Sequence, residues 1–219
     1  MLIEFKSVLE KYKLDVKGVL HIGAHLAEEC GSYYENGVEK TIWIEANPFF
    51  INHIKENISK YNNTLVFNEC ISDVDDVEVT FNLSNNNGMS SSLLQLEHHK
   101  IAHPDVVFVH EIKTKTKRID TLLLENNLKI EDYNFVTMDI QGAEGLALKG
   151  FGDMLNNVDY LFLEINEKEL YKGCMLLPEM CDYLSHFGFN LLEKQMWGDA
   201  GWGDAFFAKK NIKNGKYKL

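Results

Sequence analysis

The feature that most constrains the fold is a rhythm. Apolar runs of strand length, VKGVLHIGA from Val16, KTIWIEA from Lys40, TLVFNECIS from Thr64, YNFVTMDI from Tyr133 and VDYLFLEI from Val158, alternate with segments of helical periodicity. Such alternation builds βαβ units, a mostly parallel sheet covered by helices on both faces in a three-layer Rossmann-like α/β sandwich. Two further runs, GFNLLEK from Gly188 and DAFFAKK from Asp204, are separated by WGDAGWGDA. That loop is too short for a crossover helix, so these two close the seven-stranded sheet as an antiparallel hairpin. DVEVTFNLS from Asp76 and VVFVHEIKTKTK from Val106 alternate as half-exposed strands do and predict an antiparallel pair added to the sheet.

A chain of 219 residues supports one sizeable core, and no Pro- or Gly-rich linker divides it. One domain over residues 1–219 is expected, with an N-terminal amphipathic helix within residues 1–17 and the α/β core over 18–210. Leu2, Phe5, Val8, Leu9 and Tyr12 fall at helical spacing among charges, unlike a signal peptide, and no apolar run approaches bilayer length. A cytoplasmic protein without membrane insertion is expected. The net charge of -11 and the scatter of basic residues, concentrated only at Lys113 to Arg118, argue against a nucleic-acid partner. Cys30, Cys70, Cys174 and Cys181 stand singly and read as buried thiols. The basic C-terminal KKNIKNGKYKL reads as a trailing, frayed segment.

Open sheets of this kind bind ligands beyond the carboxyl ends of their strands, where strand order reverses. The strand-ending residues are Gly23, Glu45, Ser72 with Asp73, Asp139 and Glu164. Gly23 permits a tight turn, and Glu45 follows it at about the 20-residue spacing at which an acid takes the hydroxyls of a ribose. The pair points to an adenosine-containing cofactor; the competing reading is a turn glycine and a surface acid. Ala24 to Ala27 supplies no second or third glycine for a pyrophosphate, which disfavours a nicotinamide dinucleotide. S-adenosylmethionine fits better, with its adenine near Ile71, Ser72 and Asp73 and its amino-acid end near Asp139.

The block TMDIQGAEGLALKGFGDML, preceded by WIEANP and RIDTLL, resembles the FkbM family of S-adenosylmethionine-dependent methyltransferases from about Val19 to Lys209. The resemblance implies the class I methyltransferase fold and O-methylation of hydroxyls, often on sugars or polyketide-like metabolites. It further implies that His21, Gly23, Ala24, His25, Glu45, Asn47, Ser72, Asp73, Asp139 and Gln141 line the cofactor site. The glycine loop departs from the usual D-x-G-A-N-x-G: His21 replaces the acid, His25 the Asn and Ala27 the second glycine. His25 can still hydrogen-bond the cofactor. Glu28 or Glu29 can bind its amino group or simply face a positive helix terminus.

Transfer to a hydroxyl requires alignment, exclusion of water and a group that accepts the proton. Asp139, Glu144 and Glu164 are the candidates, and acids brought this close raise one pKa or recruit a cation such as magnesium. For Glu144 the competing reading is compensation of the helix dipole. SNNNGMSSS, Ser84 to Ser92, has the composition of a disordered loop, but a serine-containing segment here lies near the substrate pocket of the resembling family, so Met89, Ser90 and Ser91 are expected substrate contacts. Trp202, beside the last strand, offers a platform for a sugar ring. His98, His99 and His103 read as a solvated helix face, not a metal site. The expected acceptor is a saccharide or other small-molecule hydroxyl; the alternative is a non-catalytic binding domain with this fold.

Overall fold

A computed structural model describes residues 2–209. The stretch from Lys210 onward, including most of the basic C-terminal segment, lies outside the described residues. Seven strands form the main sheet: β1 (Val19–Ile22), β2 (Thr41–Ile44), β3 (Thr64–Phe67), β7 (Phe135–Met138), β8 (Tyr160–Asn166), β9 (Phe189–Met196) and β10 (Trp202–Lys209). Their order is β3-β2-β1-β7-β8-β10-β9. The first five are parallel, and β10 pairs antiparallel with both β8 and β9. Strand order reverses between β1 and β7, so the crevice forms beyond Ile22 and Met138.

The parallel strands are buried on both faces, as crossovers require. Pleating sends alternate side chains to opposite layers. Leu20, Ile22, Ile42, Ile44, Val136 and Met138 pack with Leu122 and Leu123 of α5 (Ile119–Glu125), Leu148 of α6 (Glu144–Gly150) and Met180 of α7 (Leu177–Ser185). Val19, Trp43, Phe135, Phe162 and Phe206 pack on the other face with Phe5 and Val8 of α1 (Phe5–Tyr12), Tyr33 of α2 (Cys30–Glu35) and Ile54 of α3 (Ile51–Ile58). Each such side chain contributes roughly 1.5–3 kcal/mol on burial. The N-terminal helix is shorter than the amphipathic pattern, ending where Lys13 turns left-handed at φ 50°.

The run TLVFNECIS divides. β3 ends at Phe67, and β4 (Cys70–Ile71) leaves the main sheet to pair parallel with β6 (Phe108–Lys117). β6 also pairs antiparallel with β5 (Glu78–Ser84). The expected antiparallel pair therefore belongs to a second sheet, β4-β6-β5, instead of extending the first. Between β5 and β6 lies α4 (His99–Ala102), whose first residue lies against the carboxyl ends of the main sheet. No helix among the described residues is long and apolar enough to cross a membrane.

Candidate functional site

A cavity of about 530 Å³ opens at the carboxyl ends of β1, β2, β7 and β8. Gly23 is there because nothing larger fits: at φ +86° a Cβ would stand 1.9 Å from the Asp139 carbonyl oxygen, where β1 and β7 meet. The Gly23 and Ala24 N–H groups both donate to the Ile44 carbonyl, at 2.9 and 3.0 Å, so they hold β2 in place and do not face the cavity as ligand donors. Glu45, buried at the end of β2, accepts from the backbone N–H of His25 at 2.8 Å and of Asn47 at 2.7 Å. Burial outweighs those bonds and raises its pKa to about 7. Each carboxylate oxygen keeps acceptor capacity, and Glu45 lines the cavity, so a ribose can still be held there.

His21 also lines the cavity, but it is integral to the packing beneath it. Its Nδ1 meets the Tyr33 hydroxyl at 3.0 Å, that hydroxyl meets Thr137 Oγ1 at 3.1 Å, and its ring stacks on Trp43. Burial lowers its pKa, keeping the ring neutral. His25 differs. Its ring contacts Glu28 Oε1 at 2.7 Å and the Asn87 carbonyl at 3.0 Å, and the Glu28 hydrogen bond above all raises its pKa to about 9. His25 and Ala27 both take left-handed φ, 47° and 58°, so the loop keeps its shape without the usual Asn and second glycine.

Three expected cofactor contacts lie outside the cavity wall. Asn47 turns the chain, its Oδ1 accepting from the Phe49 N–H at 3.1 Å. Ser72 donates to Asp73 at 3.1 Å, and the Asp73 carbonyl accepts from Arg118 at 2.7 Å. Glu69, Cys70 and Ile71 line the cavity in their place, because β4 turns away before Ser72.

The candidate acids separate as well. Glu144, 2% exposed, does not line the cavity: its Oε1 accepts from the Ile140 and Gly142 N–H groups at 2.9 and 3.4 Å and shapes the loop between β7 and α6. Burial chiefly raises its pKa. Asp139 and Glu164 do line the cavity, joined by Gln141, whose Nε2 donates to Asp139 Oδ1 and to Glu164 Oε2, each at 2.8 Å. Glu164 is pushed well above the carboxylate range by burial first and by the Asp139 charge second. No group of three His, Cys, Asp or Glu among the described residues is placed to hold a metal ion. The alternative of a magnesium ion thus finds no ligand set among the described residues, and the Gln141 amide bridges the two acids.

The opposite wall comes from between the strands. Ser84 to Ser92 is ordered by its own polar groups: Ser91 Oγ accepts from Ser84 N–H at 3.1 Å, and Ser92 Oγ donates to the Gln141 carbonyl at 2.7 Å. Met89, 56% exposed, and buried Ser90 and Ser91 line the cavity. Trp202 does too, beside Asn166 at the end of β8, and its indole N–H donates to His103 Nε2 at 3.1 Å. His99 and His103 join this wall, correcting the reading of a solvated face. His99 is 3% exposed with Nδ1 unpartnered, and burial lowers its pKa to about 4. Tyr171, also missed in the sequence, donates to Gln141 Oε1 at 2.5 Å and connects the two walls.

The strand order and this cavity define the class I methyltransferase fold. Similar solved structures include M. capricolum TrmK in complex with S-adenosyl-homocysteine, at TM-score 0.53 and 9% identity, covering 96% of this chain and 70% of that one. Magnesium protoporphyrin IX methyltransferase (ChlM) of Synechocystis PCC 6803 with bound S-adenosylmethionine matches at TM-score 0.50 and 9% identity, covering 92% of this chain and 74% of that one. At such identity the likeness is one of fold. The methyltransferase FkbM domain model matches residues 21–191, and the chain belongs to that family. It is 28% identical over 149 residues to the 2-O-methyltransferase NoeI of Sinorhizobium fredii (strain NBRC 101917 / NGR234), covering 65% of this chain and 60% of the relative's length.

Proposed function

We propose that the chain acts as one methyltransferase domain, moving a methyl group from S-adenosylmethionine to a hydroxyl oxygen of a sugar or glycan. The observation that carries this is the meeting, in one cavity of an FkbM-family chain, of strand-end acids with an aromatic and imidazole wall. The similarity to a 2-O-methyltransferase supports the oxygen acceptor. Glu45 takes the ribose, and Asp139 and Glu164 face the amino-acid and sulfonium end. Trp202 supplies an apolar ring face, while Ser90, Ser91 and the imidazoles supply hydrogen bonds to hydroxyls. The bound cofactor supplies an electrophilic methyl group; the protein's part is to align the acceptor, exclude water and receive its proton. Glu144 holds the loop that carries Gln141. No lysine or arginine lines the cavity among the described residues, which supports an uncharged acceptor over nucleic acid.

The test is incubation of purified protein with S-adenosylmethionine and a panel of methyl glycosides, followed by mass spectrometry of the acceptors and assay of S-adenosylhomocysteine. Transfer to a sugar oxygen is expected. Cofactor binding with no transfer to any hydroxyl would favour the non-catalytic binding domain.

A further inference from the structure

Resting on the cofactor reading above, we propose that Asp139 and Glu164 form a charge-reading pair that prefers the sulfonium cofactor to its thioether product. Both carboxyls accept from one Gln141 nitrogen, at 2.8 Å each. The Tyr171 hydroxyl donates to the other end of that amide at 2.5 Å, which fixes its orientation and aims only N–H groups at the pair. The Gln141 amide dipole faces both acids, which also share a hydrogen bond with each other. The groups that act most strongly on Glu164 are acidic, Asp139 after β7, Glu144 in α6 and Asp204 in β10, and the Tyr171 phenol lies beside them. His21, near Asp139, is kept neutral by burial, and no lysine or arginine lines the cavity among the described residues. His99, deeply buried with an unpartnered nitrogen, lines the same space and independently marks it as built for a polar ligand.

In this setting burial and the Asp139 carboxylate both oppose ionisation of Glu164 and favour its protonated form. A sulfonium brings a positive charge to the pair. It stabilises the ionised carboxylate, so Glu164 releases its proton to solvent as the cofactor binds. The thioether is uncharged and draws no proton off. When the acceptor oxygen forms its bond to the methyl carbon and the S–C bond breaks, the sulfur keeps the electron pair and the hydroxyl proton is left over. Glu164, ionised at that moment, takes it, and the pair returns to the state that holds the thioether weakly.

The experiment is calorimetric titration of the full chain near neutral pH, in buffers of different protonation enthalpy, with S-adenosylmethionine, S-adenosylhomocysteine and sinefungin, whose amine replaces the sulfonium. We expect up to about half a proton released with S-adenosylmethionine and with sinefungin, and close to none with S-adenosylhomocysteine. The charged ligands should bind about tenfold tighter than the thioether, a one-unit pKa shift's worth of coupling. Glu164→Gln should abolish both differences, and if that variant does not fold, the proton counts on the wild type decide. Equal proton release by all three ligands, or tighter binding of the thioether, overturns the charge-reading pair and leaves the cofactor reading standing. Binding of none of them overturns both.

Discussion

The two walls of the cavity are built in different ways. The wall proposed for the cofactor comes from the sheet: Gly23, Glu45, Asp139 and Glu164 sit at or near the carboxyl ends of β1, β2, β7 and β8, and the parallel pairing of those strands fixes their spacing. The wall proposed for the acceptor comes from segments between strands, residues 84–92, α4 and the start of β10, held by side-chain hydrogen bonds such as Trp202 to His103. A sheet transmits its regularity to its edges, so the first wall changes little without unfolding the protein. The second can be rebuilt one residue at a time, as an acceptor site must be if one fold is to serve many substrates.

The sharpest way to break this contrast is Gly23→Ala. A Cβ in hard contact with the Asp139 carbonyl, at a left-handed φ, should cost about 3 kcal/mol or more, read as a lowered urea midpoint. A variant as stable as the wild type would mean that β1 and β7 do not meet so closely. Next in size is Glu45→Gln. Exchanging one oxygen for an amide sets an N–H against a backbone donor and removes the charge facing the ribose; a loss of about 2 kcal/mol in S-adenosylmethionine affinity is expected by calorimetry. Unchanged affinity would remove Glu45 from the cofactor wall.

On the opposite wall the expected pattern inverts. His99→Leu removes a buried, unpartnered nitrogen, so it should stabilise the fold by about 1 kcal/mol in urea melts. Cofactor affinity should stay within about twofold, while turnover of any glycoside found to be an acceptor falls. A destabilised variant would show that His99 has a packing role that outweighs its lost hydrogen bond.

The same division explains what could be read in advance. Strand runs, the final hairpin and the acids at strand ends follow from continuous apolar runs of strand length and a chain-order rule, both local in sequence. Ser72 and Asp73 lie off the cavity wall because the chain breaks after Phe67, at Asn68 and Glu69, and β4 leaves for the second sheet, whereas the sequence reads TLVFNECIS as one strand. Glu144 sits in the right block, yet its direction depends on which loop N–H groups are unpaired, and Ile140 and Gly142 claim it. His99 and His103 look like any polar helix face until the placement of α4 against the carboxyl ends of the sheet is known. One signal was available for Tyr171: it is a large aromatic a few residues after β8, whose end carries Glu164.

His25 ties the two walls together and gives the smallest expected effect. It lies in the glycine loop, yet its ring nitrogens contact Glu28 Oε1 and the Asn87 carbonyl of the opposite wall. Both partners are acceptors, so the ring must carry both protons to satisfy them. Its folded pKa is about 9 against an ordinary 6.5. A group whose pKa rises on folding stabilises fully below its unfolded value and loses that contribution as pH climbs through the folded one. The tie is therefore complete below about pH 6.5 and gone above about pH 9. Because Glu28 is half exposed, solvent screening limits the effect to about 1 kcal/mol or less. Melting temperatures of wild type and His25→Gln should diverge at pH 6.5 and converge at pH 9, the difference between the two removing every other titration they share. A constant gap across that range would show that Asn87 is held by backbone geometry alone, and that Ser92, Tyr171 and Gln141 join the walls without His25.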